Sequence, residues 1–220
     1  HFTNMADLVE RTGATVTMPL YGLAPDHTVS EATPFIDEVY RQLLAEGPAD
    51  TIRIGGDSAG GNIALAQVMH WRELGLDLPA KIFLFAPALD LHFDSAGIAA
   101  LDGLDALDAD AARVWAELWA DGVSLDDPIV SPMFGDTTDL PPIFATVGTA
   151  EMLLDENRRF HEQLGSDIVL VQGPSTSSPA TSPHTLYVYP GAFHVFHQVE
   201  TLPESADLMD RLIPFIVEAN

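Results

Sequence analysis

Residues 51–62, TIRIGGDSAGGN, decide how this chain is read. The run 51–56 is β-branched and ends in two glycines, so it reads as a strand. Residues 58–74, with NIALAQVMHW at their centre, follow as a helix. Between them Gly56-Asp57-Ser58-Ala59-Gly60 fits G-x-S-x-G in the strand–turn–helix setting the pattern needs. A serine at such a turn is held clear of the sheet. Glycines two before and two after it let the backbone turn tightly and let the helix pack close. The helix N-terminus and the Ala59 N–H face the anion that forms in acyl transfer. The competing reading is a glycine-rich turn in which Ser58 only caps the helix; the flanking strand and helix weigh against it.

Outward from this turn the chain alternates helix and strand. Residues 2–12 and 29–46 read as helices, the first with Met5, Leu8 and Val9 on one face, the second with Phe35, Ile36, Val39, Leu43 and Leu44. Gly47-Pro48 ends the second. Residues 14–18 read as a short buried strand and 80–87 as a continuous apolar one. Apolar strands separated by helices imply a parallel sheet covered on both faces. Residues 90–139 break the alternation, with a helix around 112–119 and no apolar strand; they read as a small helical insertion lying over the sheet. Strand 143–147, helix 155–164, strand 186–189 and a helix from about 205 to 217 restore it. The Ser/Thr/Pro-rich stretch 173–183 is expected to be a mobile loop. The whole, 1–220, reads as one α/β domain.

A nucleophilic serine needs a base and an orienting acid. In this strand–turn–helix setting they follow in the order Ser, Asp/Glu, His, each just beyond a later strand. Strand 143–147 leads into Gly148-Thr149-Ala150-Glu151, and strand 186–189 into Pro190-Gly191-Ala192-Phe193-His194. Glu151 and His194 therefore fall where the acid and the base belong. Asp155, four residues beyond Glu151, is the alternative acid; its simpler role is to cap the helix that begins there. His197 reads as a packing or surface residue.

Composition narrows the function. Nine Lys plus Arg against 33 Asp plus Glu leave a formal charge of −24, which repels nucleic-acid backbones and anionic membranes. No cysteine is present, which excludes disulfides, thiolate metal sites and cysteine nucleophiles. No apolar run suits a membrane span. Residues 1–13 do not read as a signal peptide, so a cytoplasmic protein is expected, although the lack of cysteine fits a secreted one equally. The segment 102–110, with Asp102, Asp105, Asp108 and Asp110, reads as a solvated acidic face, or as an acidic cap that disfavours anionic substrates.

Five stretches together resemble the hormone-sensitive-lipase-like branch of the α/β-hydrolases, also called bacterial esterase family IV. They are YGLAPDH (21–27), GGDSAGGN (55–62), DPIVSP (127–132), LPPIFATVGTAEMLLDE (140–156) and YPGAFHVFH (189–197). The resemblance implies an α/β-hydrolase fold, Ser58 as nucleophile, Glu151 as acid and His194 as base. It further implies carboxylesterase action on short acyl or aryl esters, through an acyl-enzyme, without metal or cofactor. The chain departs from the family at Glu151, usually Asp, and at Gly22, usually Arg, where a salt bridge is affected. The family's HGGG stretch, which supplies most of the oxyanion hole beside Ala59, is not in these residues; nor is the strand ahead of it. An N-terminal segment that completes the sheet is therefore expected upstream. The other functional readings are an amidase or lactone hydrolase, and a non-catalytic ligand-binding protein on a hydrolase scaffold. The expected partner is a small ester; a homodimer is left open.

Overall fold

The computed structural model describes residues 2–218 except 102, 104 and 174–180. Asp102 and most of the Ser/Thr/Pro-rich loop lie outside the described residues. Chain order is α1 (Phe2–Thr12), α2 (Val29–Glu46), β1 (Arg53–Asp57), α3 (Ala59–Glu73), β2 (Lys81–Phe85), α4 (Ala96–Leu101), α5 (Ala109–Ala120), β3 (Ile143–Gly148), α6 (Leu154–Leu164), β4 (Asp167–Leu170), β5 (Thr185–Tyr189) and α7 (Pro203–Val217). The five strands form one sheet in the order β1-β2-β3-β5-β4, and every pairing is parallel.

Period-two alternation explains how one sheet serves two cores. Ile82 and Leu84 of β2, Ala145 and Val147 of β3, and Leu186 and Val188 of β5 point to one face. There they pack on Leu65, Val68 and Trp71 of α3 and Phe160 of α6. Phe85, Phe144 and Tyr189 point to the other face, against Leu8 of α1 and Leu208, Leu212 and Ile216 of α7. Each fully buried aliphatic side chain contributes roughly 1.5–3 kcal/mol. The C-terminal end of α7 is tied to the sheet by cations: Lys81 Nζ donates to the carbonyls of Phe215 (2.7 Å) and Glu218 (2.9 Å), and Arg53 Nε to that of Ile216 (2.9 Å).

Among the described residues, the stretch 90–139 holds α4 and α5 and no strand. Their apolar side chains build a third core with Ile98, Ala109, Ala112 and Ala116 at its centre. The helix α5 is capped by Asp108, whose Oδ1 accepts the Ala111 N–H at 2.8 Å.

Two expectations about strands are corrected. Residues 14–18 are irregular and mostly exposed rather than a buried strand. A strand persists by its ladder of partner hydrogen bonds, and no described strand pairs with this run. Conversely Asp167–Leu170 is a strand, parallel to β5, that the sequence reading passed over. Among the described residues no helix is long and apolar enough to cross a membrane.

Candidate active site

The carboxyl ends of β1, β3 and β5 bring three polar side chains together. Ser58 follows β1 directly, with φ 52° and ψ −120°, a strained backbone for a non-glycine residue. Its own N–H donates to the Phe85 carbonyl at 2.9 Å, and its carbonyl accepts from Asn62 (3.1 Å) and Ala88 (3.2 Å). Gly56 is a glycine for reasons of space: a Cβ there would lie 2.4 Å from the Gly60 carbonyl. Ala59 opens α3, so its N–H has no carbonyl one turn earlier within the helix to bond to.

Glu151 follows β3 and is fully buried, and His194 follows β5 and is buried. The loops carrying them are joined by backbone bonds, Ala150 N–H to Ala192 O (3.0 Å) and Thr149 N–H to Tyr189 O (3.0 Å). Gly148 permits this approach, because a Cβ would sit 2.0 Å from the Ala192 oxygen. His194 Nδ1 lies 2.7 Å from Glu151 Oε2, and Nε2 lies 2.9 Å from Ser58 Oγ. An ionised carboxylate only accepts, so Nδ1 carries the proton and Nε2 is left to accept the Ser58 hydroxyl. The second Glu151 oxygen accepts the Gly148 N–H at 2.5 Å. Burial raises the Glu151 pKa; the bond and charge of His194, then the Gly148 N–H, work against that rise.

Asp155 has another position. It lies in the first turn of α6, and the cap position belongs to Leu153, which makes no side-chain cap. The expectation that Asp155 caps the helix is thus corrected: the turn begins one residue earlier. Asp155 packs instead on α4, where a Cβ on Gly97 would fall 2.3 Å from the Asp155 Cβ. His197 is buried, lies tilted against Phe85 with ring centres 4.5 Å apart, and has Nε2 3.9 Å from Asp57 Oδ2. Burial lowers its pKa to about 4, against the pull of Asp57. Asp57 itself accepts from Gln198 Nε2 at 2.7 Å, which ties the nucleophile turn to the histidine loop. At Gly22 the space of a side chain is filled by the His27 ring.

Several supporting residues carried no signal in the sequence reading. Asn62 Nδ2 donates to the carbonyls of Ala88 (2.6 Å) and Val130 (2.8 Å), pinning both ends of the insertion to α3. Asn157 Nδ2 holds the Pro87 carbonyl at 2.9 Å. Glu156 Oε1 accepts the Leu89 N–H at 2.7 Å, and burial pushes its carboxyl well above the usual range. Asn62 closes the GGDSAGGN stretch and Glu156 the stretch 140–156, but neither stretch assigns them a role, and Asn157 lies just beyond. Of the described acidic residues there, Asp105 is partly buried and accepts the Met152 N–H, while Asp108 and Asp110 are exposed.

Among the described residues no cluster of three or more His, Asp or Glu could hold a metal ion. A shallow concavity of about 480 Å³, lined by Asp50, Asp77, Leu78 and Asp139, opens at the amino ends of the strands. That is the far end of the sheet from Ser58.

Comparison with known proteins agrees with this fold. Residues 1–198 match the family described as α/β hydrolase fold. An esterase of Acinetobacter venetianus is 37% identical over 171 residues, covering 74% of this chain and 55% of the relative. An acetyl-hydrolase of Streptomyces hygroscopicus is 30% identical over 200 residues, covering 90% and 62%. The chain thus spans little more than half the length of these curated relatives. A solved hormone-sensitive lipase from a metagenome library superimposes with a TM-score of 0.86 at 27% identity, over 100% of this chain and 72% of that one. With its G-x-S-x-G turn, its parallel sheet and these relatives, the chain belongs to the α/β-hydrolase fold family and is hormone-sensitive-lipase-like within it.

Proposed function

We propose that the protein is a carboxylesterase acting on short acyl or aryl esters through a Ser58–His194–Glu151 triad. The observation that carries this reading is the unbroken chain from Glu151 Oε2 to His194 Nδ1 and from Nε2 to Ser58 Oγ, at 2.7 and 2.9 Å. Ser58 Oγ attacks the ester carbonyl carbon while its proton passes to His194 Nε2. Glu151 holds the tautomer and stabilises the imidazolium. The carbonyl oxygen becomes an oxyanion facing the Ala59 N–H. On collapse His194 returns the proton to the departing alkoxide, which leaves an acyl-serine. Water, deprotonated by His194, then releases the acid by the same route. No metal or cofactor enters any of these steps.

Residues 90–139 act in this reading as a cap that bounds the acyl site, within a single domain. The names of the relatives, esterase and acetyl-hydrolase, support short acyl groups.

Hydrolysis of nitrophenyl esters from acetate to palmitate tests the reading. Turnover is expected to favour chains of up to about eight carbons, and Ser58→Ala to lower it on the order of a millionfold. Faster palmitate than butyrate turnover refutes the chain-length preference. Activity above a few percent in the variant refutes the nucleophile.

A further inference from the structure

Glu151 stands where two hydrophobic cores meet. Behind it, Gly148 at the end of β3 donates its N–H to Oε1. Ahead of it, Met152 and Leu153 are fully buried, and they are buried in the insertion's core, among Ile98, Ala109, Ala112 and Val130. The insertion also reaches this loop with a charge. Asp105 Oδ2 accepts the Met152 N–H at 2.6 Å, one residue from the acid, while Oδ1 accepts the Leu107 N–H at 3.3 Å. Farther along, Asp155 is pressed against Gly97 of α4. The loop 151–155 is therefore gripped from the insertion at both ends.

We infer that Asp105 is a positioning residue for the Glu151–His194 pair, holding the acid loop through the Met152 N–H. The inference rests on Glu151 being the triad acid. A carboxylate that accepts an N–H makes a short, strong, directional bond, so the backbone that carries Glu151 cannot swing without breaking it. The charge reaches the pair as well. Burial is the main force raising the Glu151 pKa, and Asp105 adds to the rise after His194 and Gly148 have opposed it. Glu156 also acts on Glu151 through its charge; Asp105 is the charge contributed by the insertion.

The test is the split between kcat and KM for nitrophenyl butyrate with the intact protein. Asp105→Ala removes the acceptor for the Met152 N–H. Its kcat falls by about tenfold to a hundredfold, the scale of a misplacement of about 1 Å, with KM within about twofold. Asp105→Asn keeps an acceptor, and most of kcat returns. Asp108→Ala, which removes the cap of α5, is a control for lost stability and leaves kcat in place. If Asp105→Ala does not fold, Asp105→Ser, whose hydroxyl ends one bond short of the acceptor, takes its place with the same expectation. Wild-type kcat in the truncated variant, or a kcat in Asp105→Asn as low as in the truncated variant, overturns the positioning role, and an inactive Glu151→Gln then leaves the triad standing. A fully active Glu151→Gln fells the triad reading, and this inference with it.

Discussion

Ser58 and Glu151 follow the two parallel strands that flank β2, yet they are supported differently. The serine turn is held by its neighbours in sequence: β1 enters it, α3 leaves it, and Gly56 and Gly60 touch across it. Backbone bonds tie it to Phe85 and Ala88, and Asp57 ties it to Gln198 of the histidine loop. The acid loop has little local support. Its Oε1 is bonded to β3, its Oε2 to a residue 43 positions away, and the residues after it are buried in the insertion. The serine turn is thus specified by a five-residue motif, and the acid by the meeting of three separate segments. Local motifs survive remote change; composite sites transmit it.

Replacing the acid gives the largest effect that bears on this contrast. Glu151→Gln is expected to lower kcat about ten-thousandfold, because the amide no longer fixes the histidine tautomer. Asp155→Asn should leave kcat within a few-fold, since that side chain faces Gly97. Steady-state kinetics on both variants check this, and the reverse ordering would move the acid to Asp155.

Gly56→Ala probes the local side. A Cβ 2.4 Å from the Gly60 carbonyl cannot be accommodated without moving the turn. A loss of about 1–3 kcal/mol is expected in denaturant unfolding, the usual range for overpacking. An unchanged midpoint would show that the turn has slack the geometry denies it.

Acid should act mainly from the other side. His161, on the helix that leaves the acid loop, is buried with Nδ1 2.8 Å from Ser166 Oγ and Nε2 without a partner. Burial, then the nearness of His184, lowers its pKa to about 3, against about 6.5 in an unfolded chain. Between those values the unfolded chain binds a proton that the folded one refuses. Its stabilising contribution is therefore complete above pH 6.5 and is lost as pH falls toward 3, by at most about 1.4 kcal/mol per pH unit. Unfolding free energies across that window should be less steep in His161→Leu by up to this amount. Equal slopes would mean that His161 is protonated in the folded protein.

The smallest expected effect is on stability in Asp155→Asn. A first-turn carboxylate contributes about 0.3–1 kcal/mol to its helix, and thermal unfolding reads that loss.

Much of this architecture was legible in advance, and the reasons are physical. The apolar runs of β2 and β3 and the helical spacing of α2 carry their own periodicity, so their place in a two-faced sheet could be read directly. Ser58, Glu151 and His194 were found because each follows such a strand, and the structure brings the three together. Residues 14–18 have strand composition without a ladder, and composition alone does not make a strand. The strand 167–170 is short, and its Ile168 and Leu170 are exposed at the sheet edge, so its apolar signal was weak. Asp105 and Glu156 were illegible because what they touch lies 47 and 67 residues away, and no local pattern records such a distance.

The most direct measurement is the rate at which a fluorophosphonate labels the protein, with the modified residue identified by peptide mass. The proposed triad predicts one adduct, on Ser58, formed rapidly in the wild type and in Asp155→Asn, and far more slowly in Glu151→Gln. Absence of an adduct on Ser58, or equally rapid labelling of Glu151→Gln, would contradict it.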